Sequence, residues 1–168
     1  FAAARKAGAD TVITCGAVQS NHCRATAFAA ARHGLRSIVY LRHEGPGPPR
    51  LAGNYLLAHL GGAEVRLISH EQWADRDRLM ARAAAREAAA GHPSWVIPEG
   101  ASDALGMWGY VLALREVAEQ ASRISTSSPV IWHAASSGGT TAGIGWAVDR
   151  LGLDYRVVAC SIGDPAGE

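Results

Sequence analysis

The sequence contains few of the features that mark several common classes of protein. It has 3 cysteines, and no two of them have the CxxC spacing of a zinc or redox motif. Its 16 lysines and arginines are nearly balanced by 15 aspartates and glutamates, and the arginines are spread out instead of forming a basic stripe. An arginine, histidine or aspartate interrupts every apolar run before it reaches the length of a membrane span. These absences argue against a nucleic-acid partner and a membrane partner, and they favour a soluble, cytoplasmic protein.

Patterns of metal ligands are scarce as well. His70-Glu71 begins like an HExxH motif, but Ala74 stands where the second histidine is required. The odd set of Cys15, Cys23 and Cys160 predicts buried, reduced thiols. Cys15 and Cys23 flank the same short segment, so a redox or metal role there is the weaker alternative. We expect no metal site.

The most informative stretch runs from residue 11 to residue 24. Its apolar start, residues 11–14, predicts a buried strand, and Gly16 allows a sharp turn. Ser20 or Asn21 then caps a helix that is expected to run to His33. Polar side chains and free backbone N–H groups converge at the start of this helix, which favours a bound carboxylate or phosphate.

The rest of the chain alternates between strand and helix patterns. Strands are predicted at residues 37–41, 63–68, 95–97, 130–135 and 157–161, several of them buried. Helices are predicted at residues 51–60, at 73–90, from a cap at Ser102 or Asp103 to residue 120, and from the glycine-rich segment to residue 151. The serine-rich residues 122–129 predict a loop. Repeated strand–helix units imply an α/β fold with parallel sheets covered by helices, in which ligands bind at the carboxyl ends of strands.

A second candidate anion site follows the strand at 130–135. The segment Ser136-Ser137-Gly138-Gly139-Thr140-Thr141-Ala142-Gly143 consists of small residues and hydroxyls before an apolar helix. Its backbone N–H groups can turn inward to form a phosphate cup. The cup lacks the lysine of a Walker loop, which argues against hydrolysis of nucleoside triphosphates. Both candidate sites follow strands, so we expect them to serve one shared ligand.

Three segments in this order resemble the signatures of a known family. They are residues 15–24 (CGAVQSNHCR), residues 97–110 (IPEGASDALGMWGY) and residues 136–143 (SSGGTTAG). The chain resembles the D-cysteine desulfhydrase and 1-aminocyclopropane-1-carboxylate deaminase family, whose members depend on pyridoxal 5'-phosphate. The resemblance implies the tryptophan-synthase-β-like fold, which is fold type II of these enzymes, in an incomplete two-domain architecture. Residues 1–97 would form a small domain with the substrate-carboxylate loop, and residues 98–168 part of the large cofactor-binding domain.

The resemblance also implies roles for individual residues. Asn21 would bind the hydroxyl side of the pyridine ring, and Ser20, Asn21 and His22 would receive the carboxylate of a small amino-acid substrate. Ser20 is the candidate catalytic acid/base or nucleophile, although a serine without a neighbouring base is a weak nucleophile. The cofactor phosphate would be held by the cup residues, namely Ser136, Ser137, Gly138, Gly139 and Thr140.

The implied activity is that of a lyase or deaminase, and the classes lyase and hydrolase are both expected. D-cysteine would give pyruvate, ammonia and hydrogen sulfide, whereas the cyclopropane substrate would give 2-oxobutanoate and ammonia. His22 resembles the pattern of the desulfhydrase branch, because the pattern of the deaminases has Gln at this position. The loop at residues 42–44 also lacks the tryptophan of the deaminase pattern. Residues 100–103 resemble the deaminases instead. D-cysteine desulfhydrase-like β-elimination is the favoured prediction and the deaminase is the alternative.

The resemblance places several functional groups outside residues 1–168. The Schiff-base lysine is expected before Phe1, because Lys6 lies too close to the first strand to match it. The tyrosine and the acidic partner of the pyridine nitrogen are expected after Glu168. The sequence, which begins without methionine, is therefore expected to be a fragment of a homodimeric protein. A non-catalytic domain that binds the cofactor without turning over a substrate is a further alternative.

Overall fold

The computed structural model describes residues 1–124 and 128–162 of the chain. The chain divides into two compact units, Phe1–Gly100 and Ala101–Glu168, here called unit 1 and unit 2. Residues 1–97 were expected to form a small domain with the substrate-carboxylate loop, and residues 98–168 part of a large cofactor-binding domain. This assignment stays a prediction.

Unit 1 is a four-stranded parallel sheet with helices between its strands. In chain order its elements are α1 (Ala2–Lys6), β1 (Thr11–Ala17), α2 (Asn21–Arg32), β2 (Arg36–Arg42), α3 (Gly53–Leu60), β3 (Glu64–Ile68), α4 (His70–Ala74), α5 (Arg76–Ala89) and β4 (Ser94–Val96). The strand order is β3-β2-β1-β4, and every pairing is parallel. The predicted α/β class with a parallel sheet is therefore confirmed.

Both faces of this sheet are buried, because successive strand side chains point to opposite sides. On one face Ile13 and Ile38 pack with Met80 of α5. On the other face Val39 packs with Cys23 and Ala27 of α2. The central strands β1 and β2 are consequently buried along nearly their whole length, as expected for a parallel sheet with helices on both sides, whereas β3 and β4 are only partly buried.

Unit 2 contains two long helices and a pair of parallel strands. Its elements are α6 (Ala104–Arg123), β5 (Val130–Ala135), α7 (Gly139–Arg150) and β6 (Arg156–Ser161). A short 3₁₀ turn at Glu99–Ala101 precedes α6. The core of the unit is formed by Val111 and Leu114 of α6 with Ile144 and Ala147 of α7.

The structure corrects several details of the predicted elements. The predicted helix at 73–90 is two helices, α4 and α5, which meet at Asp75. Strand β5 was expected to be buried, but Trp132 is 66% exposed, because alternate residues of this strand face away from the core of the unit. The predicted loop at 122–129 begins later, since α6 extends to Arg123, and residues 125–127 lie outside the described residues.

Across residues 1–124 and 128–162, no helix combines the length and the apolar character needed to cross a membrane.

Candidate functional site

The loop at the start of α2 is built around Ser20. Ser20 caps the helix, and its Oγ accepts a hydrogen bond of 3.1 Å from the backbone N–H of Cys23. Asn21 and His22 follow in the first helical turn, where backbone N–H groups have no carbonyl partner within the helix. These amides and the positive end of the helix dipole suit a carboxylate.

Gly16 has a different function from the one predicted. It lies within β1, which continues to Ala17, so the predicted turn at this position is wrong. A Cβ on Gly16 would lie 2.7 Å from the Oγ of Ser20 and 2.8 Å from the Sγ of Cys23. Glycine is needed here because α2 begins directly against the strand.

His22 is held by a chain of two hydrogen bonds. Its Nε2 lies 2.7 Å from the Oγ1 of Thr14, and that Oγ1 lies 2.8 Å from the carbonyl oxygen of Ile97. Because a carbonyl can only accept, the Thr14 hydroxyl donates to Ile97, and Nε2–H of His22 donates to Thr14. Burial lowers the pKa of His22. Near pH 7 the ring is therefore uncharged, with its proton on Nε2 and with Nδ1 as the ring atom that can accept a hydrogen bond.

A second segment supports the loop from the start of α3. The Nδ2 of Asn54 donates to the carbonyl of Gln19 at 2.8 Å and to the Oδ1 of Asn21 at 3.0 Å. The backbone N–H of Asn54 donates to the Oε1 of Gln19 at 2.8 Å, and NH1 of Arg24 donates to the Oδ1 of Asn54 at 3.3 Å. The sequence reasoning missed Asn54. The Gly-Asn pair at the start of an apolar helix was the signal that could have drawn attention to this residue.

The cysteines of this unit are buried and free, as predicted for Cys15 and Cys23. Burial raises the pKa of Cys15 to about 12 and that of Cys23 to about 11, so both thiols are neutral near pH 7. Cys160 was also expected to be buried, but it is exposed because it lies at the exposed end of β6. In the part of the chain that the structure covers, no three His, Cys, Asp or Glu side chains gather closely enough to bind a metal ion.

Unit 2 contains a cavity of about 320 Å³ between the N-termini of α6 and α7. Gly138 caps α7 in the left-handed conformation, with φ of 84°. Ser102 and Ser137 approach each other across the cavity, with their Oγ atoms 2.6 Å apart. The cavity is lined by Ser102, Asp103, Ala104, Met107, Ser137, Gly138, Gly139 and Ala142.

Three of the five predicted cup residues line this cavity, namely Ser137, Gly138 and Gly139. Ser136 is exposed at the end of β5, and the Oγ1 of Thr140 lies 2.5 Å from the hydroxyl of Tyr110. Thr140 also lies in the first turn of α7, where its backbone N–H has no carbonyl partner within the helix.

The cavity passes a simple test for a phosphate group. Gly139 lies so close to Ser102 that an added Cβ would be 2.5 Å from its Oγ, so only a residue without a side chain fits there. The first-turn N–H groups of α7 are donors, and because Ser102 and Ser137 are hydrogen-bonded to each other, one of their two hydroxyl protons remains to donate to a ligand. Among the described residues that line the cavity, the negative side chain is Asp103, which caps α6 by accepting a 2.7 Å hydrogen bond from the N–H of Gly106. The residues present fit a bound phosphate.

A comparison with models of protein families shows to which family the chain belongs. The family model described as "Pyridoxal-phosphate dependent enzyme" matches residues 1–167. The chain belongs to this family. Pyridoxal 5'-phosphate is thus the cofactor of the family, in agreement with the prediction from the sequence.

Individual relatives of this family are similar over nearly the whole chain. A bifunctional D-cysteine desulfhydrase/1-aminocyclopropane-1-carboxylate deaminase of Arabidopsis thaliana is 41% identical over 166 residues, which cover 93% of this chain and 41% of that protein. A D-cysteine desulfhydrase of Serratia proteamaculans is 36% identical over 164 residues, covering 95% of this chain and 48% of that protein. The chain spans about half the length of these relatives.

A solved structure supports the fold type. The crystal structure of an ACC deaminase homologue, where ACC is the cyclopropane amino acid, has a TM-score of 0.78 and 34% sequence identity. The match covers 94% of this chain and 47% of that chain. The predicted tryptophan-synthase-β-like fold is confirmed. The family supports the expected lyase class, and the expectation of a hydrolase is wrong.

Proposed function

We propose that this chain supplies the phosphate cup and the substrate loop of a pyridoxal-phosphate-dependent lyase acting on a small amino acid. The favoured reaction is D-cysteine desulfhydrase-like β-elimination, giving pyruvate, ammonia and hydrogen sulfide. The observation that carries the proposal is the cavity of unit 2, where a left-handed glycine, first-turn amides and two serine hydroxyls surround a space lined by Gly139. Such a set of donors suits a dianionic phosphate.

In this proposal the cup holds the cofactor through its phosphate. The backbone N–H groups of Gly139 and Thr140 and the hydroxyl of Ser137 donate to the phosphate oxygens, and Ser136 flanks them. When bound, pyridoxal phosphate serves as an electron sink that stabilises negative charge at the α-carbon of an amino acid. The fixed donors of this chain would keep the cofactor oriented, and none of the described residues that line the cavity is a lysine or arginine.

The loop of unit 1 is proposed to bind the substrate carboxylate and the ring hydroxyl. The carboxylate is received by the hydroxyl of Ser20 and by the first-turn N–H groups of Asn21 and His22. The His22 ring is neutral, so it cannot pair with the carboxylate as a cation. The amide of Asn21 donates to the ring hydroxyl oxygen.

Ser20 is the proposed catalytic residue of the chain, as an acid or base at the substrate. Its Oγ accepts from Cys23, so its own proton is the group available to donate. The His22 ring bonds Thr14 and not Ser20, which leaves the serine without this base. These contacts favour hydrogen bonding and proton donation by Ser20 over nucleophilic attack.

A second candidate activity is that of a 1-aminocyclopropane-1-carboxylate deaminase, which opens the ring to 2-oxobutanoate and ammonia. It is favoured by the Arabidopsis relative, whose name joins both activities. A non-catalytic domain that only binds the cofactor is the third candidate. Cytoplasmic location and a homodimeric state stay predictions that accompany the proposal.

The test uses the complete protein that contains residues 1–168, saturated with pyridoxal phosphate. D-cysteine and the cyclopropane amino acid are supplied separately, and hydrogen sulfide, pyruvate and 2-oxobutanoate are measured. We expect the unaltered protein to form sulfide and pyruvate from D-cysteine. In His22→Gln, formation of 2-oxobutanoate from the cyclopropane amino acid should increase relative to formation of pyruvate from D-cysteine. Formation of 2-oxobutanoate alone would support the deaminase. Cofactor binding without any product would support the non-catalytic domain, and a protein that does not bind pyridoxal phosphate would overturn all three.

A further inference from the structure

Both N–H groups and the oxygen of the Asn54 side-chain amide have hydrogen-bond partners. One N–H of Nδ2 points to the carbonyl oxygen of Gln19 at 2.8 Å, the other to the Oδ1 of Asn21 at 3.0 Å. Its Oδ1 accepts from Arg24 at 3.3 Å. The carbonyl of Gln19 can only accept and the guanidinium of Arg24 can only donate. Asn54 can therefore adopt one orientation of its amide and not the flipped one.

This fixed amide in turn determines the orientation of Asn21. The group of Asn54 that faces Asn21 is a donor, so Asn21 must present its oxygen to Asn54. Its own Nδ2, with two N–H groups, then points to the other side of the side chain. A flipped Asn21 would place two donors against each other and lose the 3.0 Å hydrogen bond.

The segment that carries Asn54 is itself held tightly against the loop. The preceding Gly53 has φ of 55°, and a Cβ on it would lie 2.5 Å from the Oε1 of Gln19. Gln19 also binds both sides of this segment, accepting from the N–H of Asn54 and donating to the carbonyl of Ala52 at 3.2 Å. The start of α3 thus serves as a fixed support for Asn21.

We propose that Asn54 is a positioning residue that orients the amide of Asn21 as a hydrogen-bond donor toward the ligand. Asn21 then recognises a ligand oxygen that carries lone pairs or negative charge, and the ring hydroxyl of pyridoxal phosphate is such an oxygen. The inference rests on the proposed function for the identity of the ligand, but the orientation of Asn21 follows from this chain alone.

The first arm of the test needs no ligand. In the complete protein without cofactor, side-chain amide NMR signals of Asn21 and Asn54 are assigned with Asn21→Ala and Asn54→Ala. We expect the Nδ2 protons of Asn54 to exchange with solvent about tenfold more slowly than those of Asn21, as one hydrogen bond of ordinary strength would cause. Asn54→Asp has no side-chain N–H to donate, so Asn21 should flip and donate to the new carboxylate. The Nδ2 protons of Asn21 should then exchange with solvent more slowly than they do in the unaltered protein.

The second arm measures ligand binding. Dissociation constants are determined for pyridoxal phosphate and for its analogue without the ring hydroxyl. Asn54→Asp should weaken binding of pyridoxal phosphate by about tenfold and leave the analogue nearly unchanged. Asn54→Ala, which leaves Asn21 free to turn, should give a smaller loss. Thermal unfolding of each variant shows whether it is folded.

The outcomes separate the two proposals. Equal losses for both ligands would mean that Asn54 only supports the loop, and would overturn the inference. So would rapid exchange of the Asn54 amide, or slow exchange of the Asn21 amide, in the unaltered protein. If pyridoxal phosphate does not bind but the exchange pattern is as expected, the proposed function fails while the orientation of Asn21 by Asn54 stands.

Discussion

Replacement of Gly139 by alanine tests the cup of unit 2 most directly. The new Cβ would lie 2.5 Å from the Oγ of Ser102, 2.8 Å from its Cβ and 2.9 Å from its Cα. The last contact involves backbone, so rotation of the Ser102 side chain cannot relieve it. Either the segment before α6 or the start of α7 must move.

The size of the effect follows from this crowding. Overpacking by one methyl group in a tight contact costs about 1–3 kcal/mol. For a chain of this size that loss lowers the melting temperature by about 2–4 °C for each kcal/mol. A displaced Ser102 or α7 also loses at least one hydrogen bond to the phosphate. We therefore expect pyridoxal phosphate to bind at least about tenfold more weakly to Gly139→Ala.

A matched control lies on the same helix. Gly145 is exposed, and a Cβ on it would have no heavy atom within 4 Å apart from the nearby backbone of its own helix. Gly145→Ala should raise stability by about 0.5–1 kcal/mol through helix propensity and leave the affinity unchanged. Melting is followed by circular dichroism, and binding by titration with pyridoxal phosphate and with pyridoxal, which lacks the phosphate. Equal affinities of the two variants for pyridoxal phosphate would refute the assignment of this cavity as the phosphate site.

Four further predictions concern single side chains. Thr14→Val removes the acceptor of the Nε2–H of His22, so the ring should lose its single tautomer, as seen in ¹⁵N NMR spectra; an unaltered spectrum would contradict the hydrogen-bond chain. Since burial lowers the pKa of His22, its contribution to stability is present above the ordinary value of 6.5 and is lost as the pH falls below it. Unfolding curves should show this loss in the unaltered protein and a smaller one in His22→Gln. Iodoacetamide at pH 8 should label the exposed Cys160 well before Cys15, whose pKa is raised to about 12, and mass spectrometry of the peptides would expose the reverse order. Asp103→Asn keeps the cap of α6 but removes a charge beside the cavity, so inorganic phosphate should bind about two- to fivefold more tightly at low salt, whereas weaker binding would argue against an anion there.

Local patterns were sufficient to predict most of the fold. The apolar runs of β1 and β2 predicted buried strands because both faces of a parallel sheet are covered. The caps were predicted as Ser20 or Asn21 and as Ser102 or Asp103, because a short polar side chain before a helix satisfies a free backbone N–H. The structure shows that Ser20 and Asp103 are the caps. The break between α4 and α5 was missed, since Asp75 looks like any other polar residue of a solvent-facing helix.

Contacts between distant residues could not be predicted in the same way. Asn54 lies 33 positions after Asn21, and nothing in the local pattern of either residue indicates that they meet. The hydrogen bond from Thr14 to Ile97 spans 83 positions and depends on the pairing of β1 with β4. The role of Gly16 was misjudged because a glycine needed for close packing and a glycine needed for a turn look alike in sequence.

The close packing at Gly16 has a consequence for how a ligand is received. Because strand β1 and the first turn of α2 touch through backbone and short side chains, they cannot shift independently. The entropy of ordering this loop is therefore lost when the protein folds and not when a molecule arrives. The anion proposed to bind here would meet amides that already stand in place, so ordering of the loop would not reduce its affinity.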